Sequence, residues 1–499
     1  MKKTVKIFSL VFMMILFVFS FQSAAASKTL VSANAPEIKS IHNVEGAVEI
    51  SWKAMKNAKA YEVYKKNTSG KWVKCAEVSS KIKSYKDSKV KSGKTYYYKI
   101  RAVLKNEKSA YANKSYMYLS APTVKSTVCK TNGIYIKWNK STKATGYVVY
   151  RQEDGSDKWK KVAKIDGNTP EFTDKNVKSG TNYTYKVKQL CGEYVSAAKK
   201  EGTKVCFLSS PKTFSASNSP NGVTLKWSKV AGAKGYAVWR KTAGETQWKK
   251  IGVSKGENKT AYTDKKTVYG KKNYYKVRAY ISSEKYGAFT ACDSVYSIDP
   301  NKPVVALTYD DGPYTPVTNR ILDTLEKCGA RATFFVVGSR VAEYSDCIKR
   351  ENALGCEIGN HTYNHINLPS ASDSTIINEI SKTDSLIKKY SGQEVKIVRA
   401  PGGAVSQRVK NTVSHPLVNW SVDTLDWSHR TASKTVANIK SKVKDGSIVL
   451  MHDLYPSTAS ATETIVPYLV KEGYQLVTVS EMMEVKGINM TAGALYRNA

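Results

Sequence analysis

Two adjacent carboxylates and two histidines four residues apart are the side chains in this sequence best suited to chemistry. Asp310 and Asp311 end an apolar run and precede Gly312 and a proline, so both are expected at the exposed end of a strand. His361 and His365 have a spacing that brings both imidazoles to one metal ion if the segment is helical. One Asp and two His leave a tetrahedral cation with one open position, which is typical of catalytic zinc sites.

The distribution of histidine strengthens this interpretation. Asp-Gly-Pro alone is usually a turn, and His-x-x-x-His alone is usually coincidence. Yet five of the six histidines in 499 residues lie after residue 360: His361, His365, His415, His429 and His452. His415 and His429 fit no pattern and are interpreted as ordinary polar residues.

Five ordered segments resemble the motifs of the polysaccharide deacetylase family, also called the NodB homology domain or carbohydrate esterase family 4. They are TYDDGP (308–313), HTYNH (361–365), RAPGG (399–403), DTLDW (423–427) and IVLMH (448–452). The resemblance covers only residues 300–499, here called the C-terminal domain. It implies a distorted (β/α) barrel of seven or eight strands that hydrolyses acetyl groups on a sugar polymer.

The resemblance also implies roles for the residues that carry chemistry. Asp311, His361 and His365 would hold a divalent cation, zinc by default, although a mixed N/O site also accepts cobalt, nickel or manganese. Such a cation lowers the pKa of water toward neutrality. Asp310 would be the general base, and His452 would be the general acid that protonates the leaving amine.

The remaining motif positions would support the reaction or bind substrate: Arg399, Pro401, Gly402, Asp423, Asp426, Trp427 and Leu450. Asp426 is expected to orient His452, with Asp423 as the alternative, and Arg399 is expected to favour the ionised form of Asp310 if it lies close. The N–H of Gly402 would face the developing oxyanion.

Two further expectations concern the substrate groove. Trp427 and Leu450 are expected to form walls around the acetyl methyl group. Gly402 stands where the family commonly has an aromatic residue. We therefore expect a wider groove that accepts bulky or branched polymers.

The elements that must position these residues alternate between strands and helices beyond residue 303. A helix is expected from Pro316 to Gly329, and a second one over 374–390, because both show an apolar stripe and end before glycine. Strands are expected at 332–337, 397–398, 420–422, 447–451 and 475–479. This part of the chain is therefore predicted to be α/β.

The segment before it contains three repeats. Trp52, Trp138 and Trp227 recur at intervals of 86 and 89 residues, each followed nine residues later by Tyr. Short runs of period two between turn residues predict one β-sandwich per repeat, resembling fibronectin type III modules. We assign repeat 1 to 33–119, repeat 2 to 120–208 and repeat 3 to 209–297, with a proline-containing linker before residue 304. The three tryptophans are expected in the cores rather than in sugar-binding positions.

The spacing of two tyrosines agrees with a tyrosine corner, in which the hydroxyl is bound by nearby backbone. Tyr96 and Tyr183 follow Val90 and Val177 at the required distance. Repeat 3 departs from this pattern because Asn273 occupies the position. The fold is still expected there, without that corner.

Net charge is unevenly distributed along the chain. Residues 1–300 hold 57 Lys and Arg against 21 Asp and Glu, whereas residues 301–499 hold 22 against 20. An excess of this size predicts a polyanionic partner. For an exported protein we expect anionic cell-wall polymers, or an anionic membrane surface, rather than nucleic acid.

Residues 1–26 are predicted to be a signal peptide. Lysines at positions 2, 3 and 6 precede an apolar run over 7–21, and Ala24 to Ala26 offer a cleavage site. The run is shorter than the roughly 20 residues that span a bilayer. The protein is therefore expected to be secreted or wall-associated, with no transmembrane anchor.

The eight cysteines do not indicate a disulfide scaffold. Cys347 with Cys356, and Cys129 with Cys206, are the pairs most worth testing, and free thiols are the alternative.

The sequence thus predicts a secreted, metal-dependent deacetylase of an acetylated aminosugar polymer, most readily peptidoglycan. Two alternatives stay open. The first is an enzyme acting on chitooligosaccharides or on O-acetyl esters of xylan. The second is a wall-binding protein with an inactive deacetylase-like domain, although every ligand, base and acid position is intact.

Overall fold

The structure of the protein is a computed structural model that describes residues 33–499. The predicted signal peptide at 1–26 lies outside these residues. Within 33–499, no helix combines the length and the apolar character needed to cross a membrane.

Each repeat contains two antiparallel sheets. The strands of repeat 1 are β1 (Ile38–Val44), β2 (Ala47–Trp52), β3 (Ala60–Lys66), β4 (Trp72–Ser79), β5 (Ser84–Asp87), β6 (Lys94–Val103) and β7 (Ala112–Tyr118). They form sheets of order β1-β2-β5 and β4-β3-β6-β7. Residues from both sheets share one buried core.

Repeats 2 and 3 follow the same plan. The strands of repeat 2 are β8 (Val124–Lys130), β9 (Gly133–Trp138), β10 (Gly146–Glu153), β11 (Lys160–Asp166), β12 (Glu171–Asp174), β13 (Asn182–Cys191), β14 (Tyr194–Val195) and β15 (Thr203–Cys206). Those of repeat 3 are β16 (Phe214–Ser219), β17 (Gly222–Trp227), β18 (Gly235–Thr242), β19 (Lys249–Lys255), β20 (Ala261–Asp264), β21 (Lys272–Tyr280) and β22 (Asp293–Tyr296). This arrangement is compatible with the predicted fibronectin-like sandwich.

The three repeated tryptophans lie in the cores, as predicted. Trp52, Trp138 and Trp227 are 2%, 1% and 5% exposed. Each ring lies 5.2–5.3 Å, centroid to centroid, from the tyrosine nine residues further on. Burial of such large aromatic side chains stabilises a core strongly.

Both predicted tyrosine corners are present. The N–H groups of Lys91 and Lys178 donate to the hydroxyls of Tyr96 and Tyr183 over 2.6 and 2.9 Å. In repeat 3 the buried Asn273 donates from Nδ2 to the carbonyl of Val268 over 2.9 Å. The amide therefore binds backbone at the corner where the tyrosine is missing.

The C-terminal domain alternates strands and helices. Its strands are β23 (Val304–Asp310), β24 (Thr333–Val336), β25 (Glu357–Asn360), β26 (Leu417–Val418), β27 (Val422–Asp423), β28 (Ser447–His452), β29 (Gln475–Leu476) and β30 (Leu495–Tyr496). Its helices are α1 (Thr315–Cys328), α2 (Gly338–Val341), α3 (Ser345–Ala353), α4 (Asp373–Ser391), α5 (Gln407–Thr412), α6 (Asp426–His429), α7 (Ala432–Lys442), α8 (Pro456–Lys471) and α9 (Val479–Val485).

A curved parallel sheet forms the distorted barrel. Its order is β25-β24-β23-β28-β27, and β29 also pairs with β23. Val398 continues the wall through parallel bridges to Asn360 of β25 and to Leu417 of β26. Strand β23 lies at the centre and is buried on both faces, which explains the apolar run over 304–307 at its start.

Local sequence signals located the two predicted helices well. Helix α1 ends at Gly329 with φ of 62°, and α4 ends at Gly392 with φ of 79°. The strand expected at 475–479 was too long, because Thr478 and Glu481 form a capping box that begins α9. The strand expected at 420–422 lies at Val422–Asp423, and only Val398 of 397–398 forms a bridge.

All eight cysteines are free thiols, which is the alternative given above to the two candidate disulfides. Cys129 Sγ donates to the carbonyl of Cys206 over 3.4 Å. Cys347 and Cys356 are buried.

Candidate active site

Asp310 and Asp311 reach one pocket because the strand breaks between them. Asp310 is the last residue of β23, and Asp311 has a left-handed φ of 71°. His361 Nε2 lies 3.7 Å from Asp310 Oδ2 and 3.4 Å from Asp311 Oδ1. The backbone turn therefore directs two consecutive carboxylates to the same imidazole, which a regular strand cannot do.

The segment from His361 to His365 is a loop rather than a helix, so the condition stated above for this spacing is not met. Thr362 and His365 have left-handed φ values of 66° and 55°. The α2 segment holds this loop, since the Gly338 N–H donates to the carbonyl of Thr362 over 2.9 Å. The loop nevertheless brings the two imidazole centroids to 5.1 Å.

Asp311, His361 and His365 converge as a group that could hold a cation. Their ligand atoms lie within 4.8 Å of one another, and His365 Nε2 is 3.1 Å from Asp311 Oδ1. His361 Nδ1 lies 2.8 Å from the carbonyl of Arg399. Because a carbonyl only accepts, Nδ1 carries the proton and Nε2 is left to face Asp311.

The donor set fits a divalent cation. Asp311 Oδ1 is buried and receives no hydrogen bond from any residue in 33–499. Burial raises the pKa of Asp311, but His361 and His365 outweigh it and hold this pKa well below its usual range. The same carboxylate raises the pKa of His365. The ionised Asp311 carboxylate therefore favours a positive charge placed between it and the two imidazoles.

Asp310 is clamped by a fully buried arginine. Arg399 Nη1 donates to Asp310 Oδ1 over 2.6 Å and to the Thr308 hydroxyl over 2.8 Å. Its Nε and Nη2 donate to the carbonyls of Val418 and Asn419. The guanidinium is 0% exposed, so both its charge and its donors are used inside the barrel.

His452 and Asp426 form a second charged pair. His452 Nδ1 lies 2.9 Å from Asp426 Oδ1, and the His452 N–H donates to Oδ2 over 2.9 Å. The Thr458 hydroxyl also donates to Oδ2. Burial lowers the pKa of His452, but Asp426 outweighs it and raises this pKa to about 9. Asp423 instead accepts from the Leu425 N–H.

The other predicted residues differ in exposure. Pro401 and Leu450 are buried, whereas Trp427 is 48% exposed. Gly402 has a φ of 63°, and within residues 33–499 no atom lies within 4 Å of the position its Cβ would take.

Backbone strain is concentrated in the loops of this site. Six non-glycine residues between 33 and 499 have positive φ, and five belong to the site loops: Asp311, Thr362, His365, Leu425 and Arg430. Each costs roughly 1–2 kcal/mol relative to the right-handed region. Strain that persists in this way is typical of functional sites.

The sequence did not reveal a buried acidic pair behind the site. Asp453 accepts from the Thr318 hydroxyl over 2.6 Å, and burial raises its pKa to about 7. Burial also raises the pKa of Glu351 well above its usual value. For Asp453, the sequence signal that could have revealed it was its position directly after His452. Glu351 lies in an ordinary helical segment and gave no such signal.

The fold and site define a deacetylase-type α/β barrel, and comparison with known proteins identifies the family. The family model "Polysaccharide deacetylase" matches residues 297–416. A peptidoglycan-N-acetylglucosamine deacetylase of Bacillus cereus is 34% identical over 199 residues, which cover 38% of this chain and 93% of the relative. The chain belongs to the polysaccharide deacetylase family.

Longer relatives match over the same part of the chain. Peptidoglycan-N-acetylmuramic acid deacetylase PdaC of Bacillus subtilis is 40% identical over 190 residues, covering 38% of this chain and 41% of the relative. The match thus spans about two fifths of that protein. A solved structure of PdaC is 39% identical and covers 38% of this chain and 94% of the solved one, with a TM-score of 0.38.

Proposed function

We propose that this protein is a secreted, cation-dependent deacetylase that removes N-acetyl groups from peptidoglycan. The observation that carries the proposal is the register of two neighbouring strands. Asp310 of β23 and His452 of β28 are paired residues in the parallel ladder. A base and an acid are therefore presented side by side at one end of the barrel, next to the Asp311, His361 and His365 group.

The cation is proposed to be zinc, with cobalt, nickel or manganese as alternatives. When bound by Asp311, His361 and His365, it would lower the pKa of the attacking water and polarise the acetyl carbonyl. The fit rests on the buried Oδ1 of Asp311, which receives no hydrogen bond within residues 33–499 and faces the Nε2 atoms of both histidines.

The remaining chemistry belongs to side chains of this chain. Asp310 accepts the proton of the attacking water, and the hydrogen bond from Arg399 fixes its orientation. The Gly402 N–H is assigned to the developing oxyanion. His452 then protonates the leaving amine, since Asp426 keeps it charged and oriented.

Peptidoglycan is the proposed substrate for two reasons. The relatives named above are peptidoglycan deacetylases. The open space at Gly402 also suits a glycan that carries peptide branches. Export of the mature chain is proposed from the signal sequence at 1–26.

Repeats 1 to 3 are proposed to dock the enzyme on anionic wall polymers. A lysine ammonium lies over a half-buried tryptophan at equivalent positions on the outer face of each larger sheet: Lys99 over Trp72 at 4.8 Å, Lys186 over Trp159 at 4.4 Å and Lys276 over Trp248 at 4.1 Å. Two residues further on, a second cation lies over a ring in each repeat: Arg101 over Tyr64, Lys188 over Tyr150 and Arg278 over Trp239. Residues i and i+2 share one face, about 6.6 Å apart. Each repeat thus has two cations held by aromatic rings, although Arg101 of repeat 1 is also in an ion pair with Glu62.

Acetate release tests the proposed function. The cation-loaded full chain is incubated with purified peptidoglycan, chitooligosaccharides and acetylated xylan in parallel. Fastest release from peptidoglycan supports the proposal. Fastest release from xylan would support the esterase alternative, and absence of release from all three would support the inactive wall-binding alternative.

A further inference from the structure

Arg430 and Tyr455 form a cation and aromatic pair beside the proposed acid. The Tyr455 ring centroid lies 6.1 Å from that of His452, and the Arg430 guanidinium carbon lies 3.9 Å from the Tyr455 centroid. Arg430 Nε donates to the carbonyl of Trp427 over 3.1 Å. The guanidinium is therefore held at the edge of the pocket by a ring and a backbone acceptor.

Arg430 has no anionic partner within residues 33–499. No ion pair joins it to a carboxylate there. The carboxylate of the nearby Asp426 is already bound to His452 and Thr458. Arg430 is also exposed. Its two Nη groups are thus available to a ligand that enters the groove.

The backbone that carries Arg430 is strained. Helix α6 ends there, with the Arg430 N–H bound to the carbonyl of Asp426 over 3.0 Å and a φ of 50°. Glycine or asparagine relieves such strain, yet an arginine occupies the position. A charged side chain kept in a left-handed conformation at the pocket edge indicates a binding role.

The chemistry of the proposed substrate supplies a matching anion. The acetamido group is on C2 of the sugar, and muramic acid carries a 3-O-lactyl substituent on the adjacent carbon. Where no peptide branch is attached to this substituent, its carboxylate is free and lies a few bonds from the amide that is cleaved. Guanidinium groups bind carboxylates in a bidentate manner with high specificity.

We propose that Arg430, supported by Tyr455, binds the carboxylate of a 3-O-lactyl substituent on the sugar that is deacetylated. The proposal rests on the proposed function and selects its substrate: N-acetylmuramic acid residues with a free lactyl carboxylate are preferred over N-acetylglucosamine residues. Peptide branches are then expected on neighbouring residues of the glycan rather than on the sugar that is deacetylated. Arg430 acts in binding, and no bond forms or breaks at it.

Calorimetry with the full chain tests this without turnover. The probes are a β-linked oligosaccharide containing N-acetylmuramic acid with a free lactyl carboxylate, and its methyl ester. We expect the carboxylate form to bind about tenfold more tightly, and we expect R430Q to abolish that difference. R430K should keep part of it, because charge is retained while the planar fork is lost.

A matched control removes the same charge elsewhere. Arg497 is exposed. The next residue, Asn498, forms a β-bridge with Ser447 at the start of β28, which is the opposite end of this strand from His452. R497Q should leave the preference for the carboxylate unchanged. Y455L should weaken it, since the ring that holds the guanidinium is lost.

The outcomes separate this inference from the proposed function. A wild-type protein that binds acid and ester equally, or an R430Q protein that keeps the difference, would overturn the assignment of Arg430. Acetate release from the same saccharides is measured separately. Preference for the acid without acetate release would refute the deacetylase and leave the Arg430 site standing.

Discussion

The Arg399 guanidinium and the Asp310 carboxylate form a buried ion pair, in which Nη1 donates to Oδ1 over 2.6 Å. Arg399 is fully buried and Asp310 is nearly so. Removing one partner of such a pair leaves an uncompensated buried charge, which costs about 3–5 kcal/mol. We expect R399M to lower the free energy of unfolding by about this amount, as measured by urea denaturation at neutral pH.

The exposed Arg497 provides the control for this measurement. R497M should change stability by no more than about 0.5 kcal/mol, as surface substitutions usually do. A loss below about 1 kcal/mol in R399M would mean that Asp310 is compensated by another group.

The titration of His452 is the second prediction. Burial lowers its pKa, but Asp426 raises it to about 9, above the ordinary value of 6.5. The pair therefore stabilises the fold fully below about pH 6.5, and this contribution is lost as pH rises through about 9. NMR titration of metal-free protein should show the raised pKa, and D426N should lower it. An unchanged pKa in D426N would assign the shift to other groups.

The acid role of His452 gives a third prediction. H452A should reduce turnover on amide substrates far more than on activated acetate esters, because only the amine leaving group needs a proton. Equal losses on both would indicate that His452 binds substrate or faces the oxyanion instead.

Cation binding is the fourth prediction. H361A and H365A should each weaken affinity for zinc, measured by competition with a chromogenic chelator, because each removes one of three ligands. D310N should keep the wild-type affinity. Equal affinity in all four proteins would place the cation elsewhere.

Docking by the repeats is the fifth prediction. The triple variant K99A/K186A/K276A should bind purified cell wall less well than K39A/K137A/K226A, which removes the same charge from the smaller sheets. The cations that lie over tryptophans are more ordered, and less entropy is lost when they bind. Both proteins should be released in 1 M salt, where the Debye length falls to about 3 Å. Equal loss in the two triples would mean that only net charge matters.

Sequence patterns located the chemistry better than the backbone that supports it. Local signals were sufficient for α1 and α4, since apolar stripes and terminal glycines act over a few residues. The sequence left open whether the segment at His361 is helical, because its left-handed Thr362 is held by α2, which lies earlier in the chain. Arg430 and Tyr455 escaped notice for the same reason: their contact joins α6 to the segment after β28.

The repeats show the same limit. Trp52, Trp138 and Trp227 were placed correctly because they follow a fixed spacing along the chain. Trp72, Trp159 and Trp248 lie outside the cores. The lysines that lie over them come from strands two positions away in the sheet order. Such cross-strand contacts depend on sheet register, which the sequence alone does not define.

The most direct test of the central claim compares acetate release from peptidoglycan by three proteins. These are the cation-loaded full chain, the same chain after chelation, and cation-loaded D310N. We predict that only the first releases acetate at a substantial rate, that release returns when a divalent ion is restored to the chelated chain, and that D310N retains the ion. Full release by the metal-free chain, or near-normal release by D310N, would contradict the account.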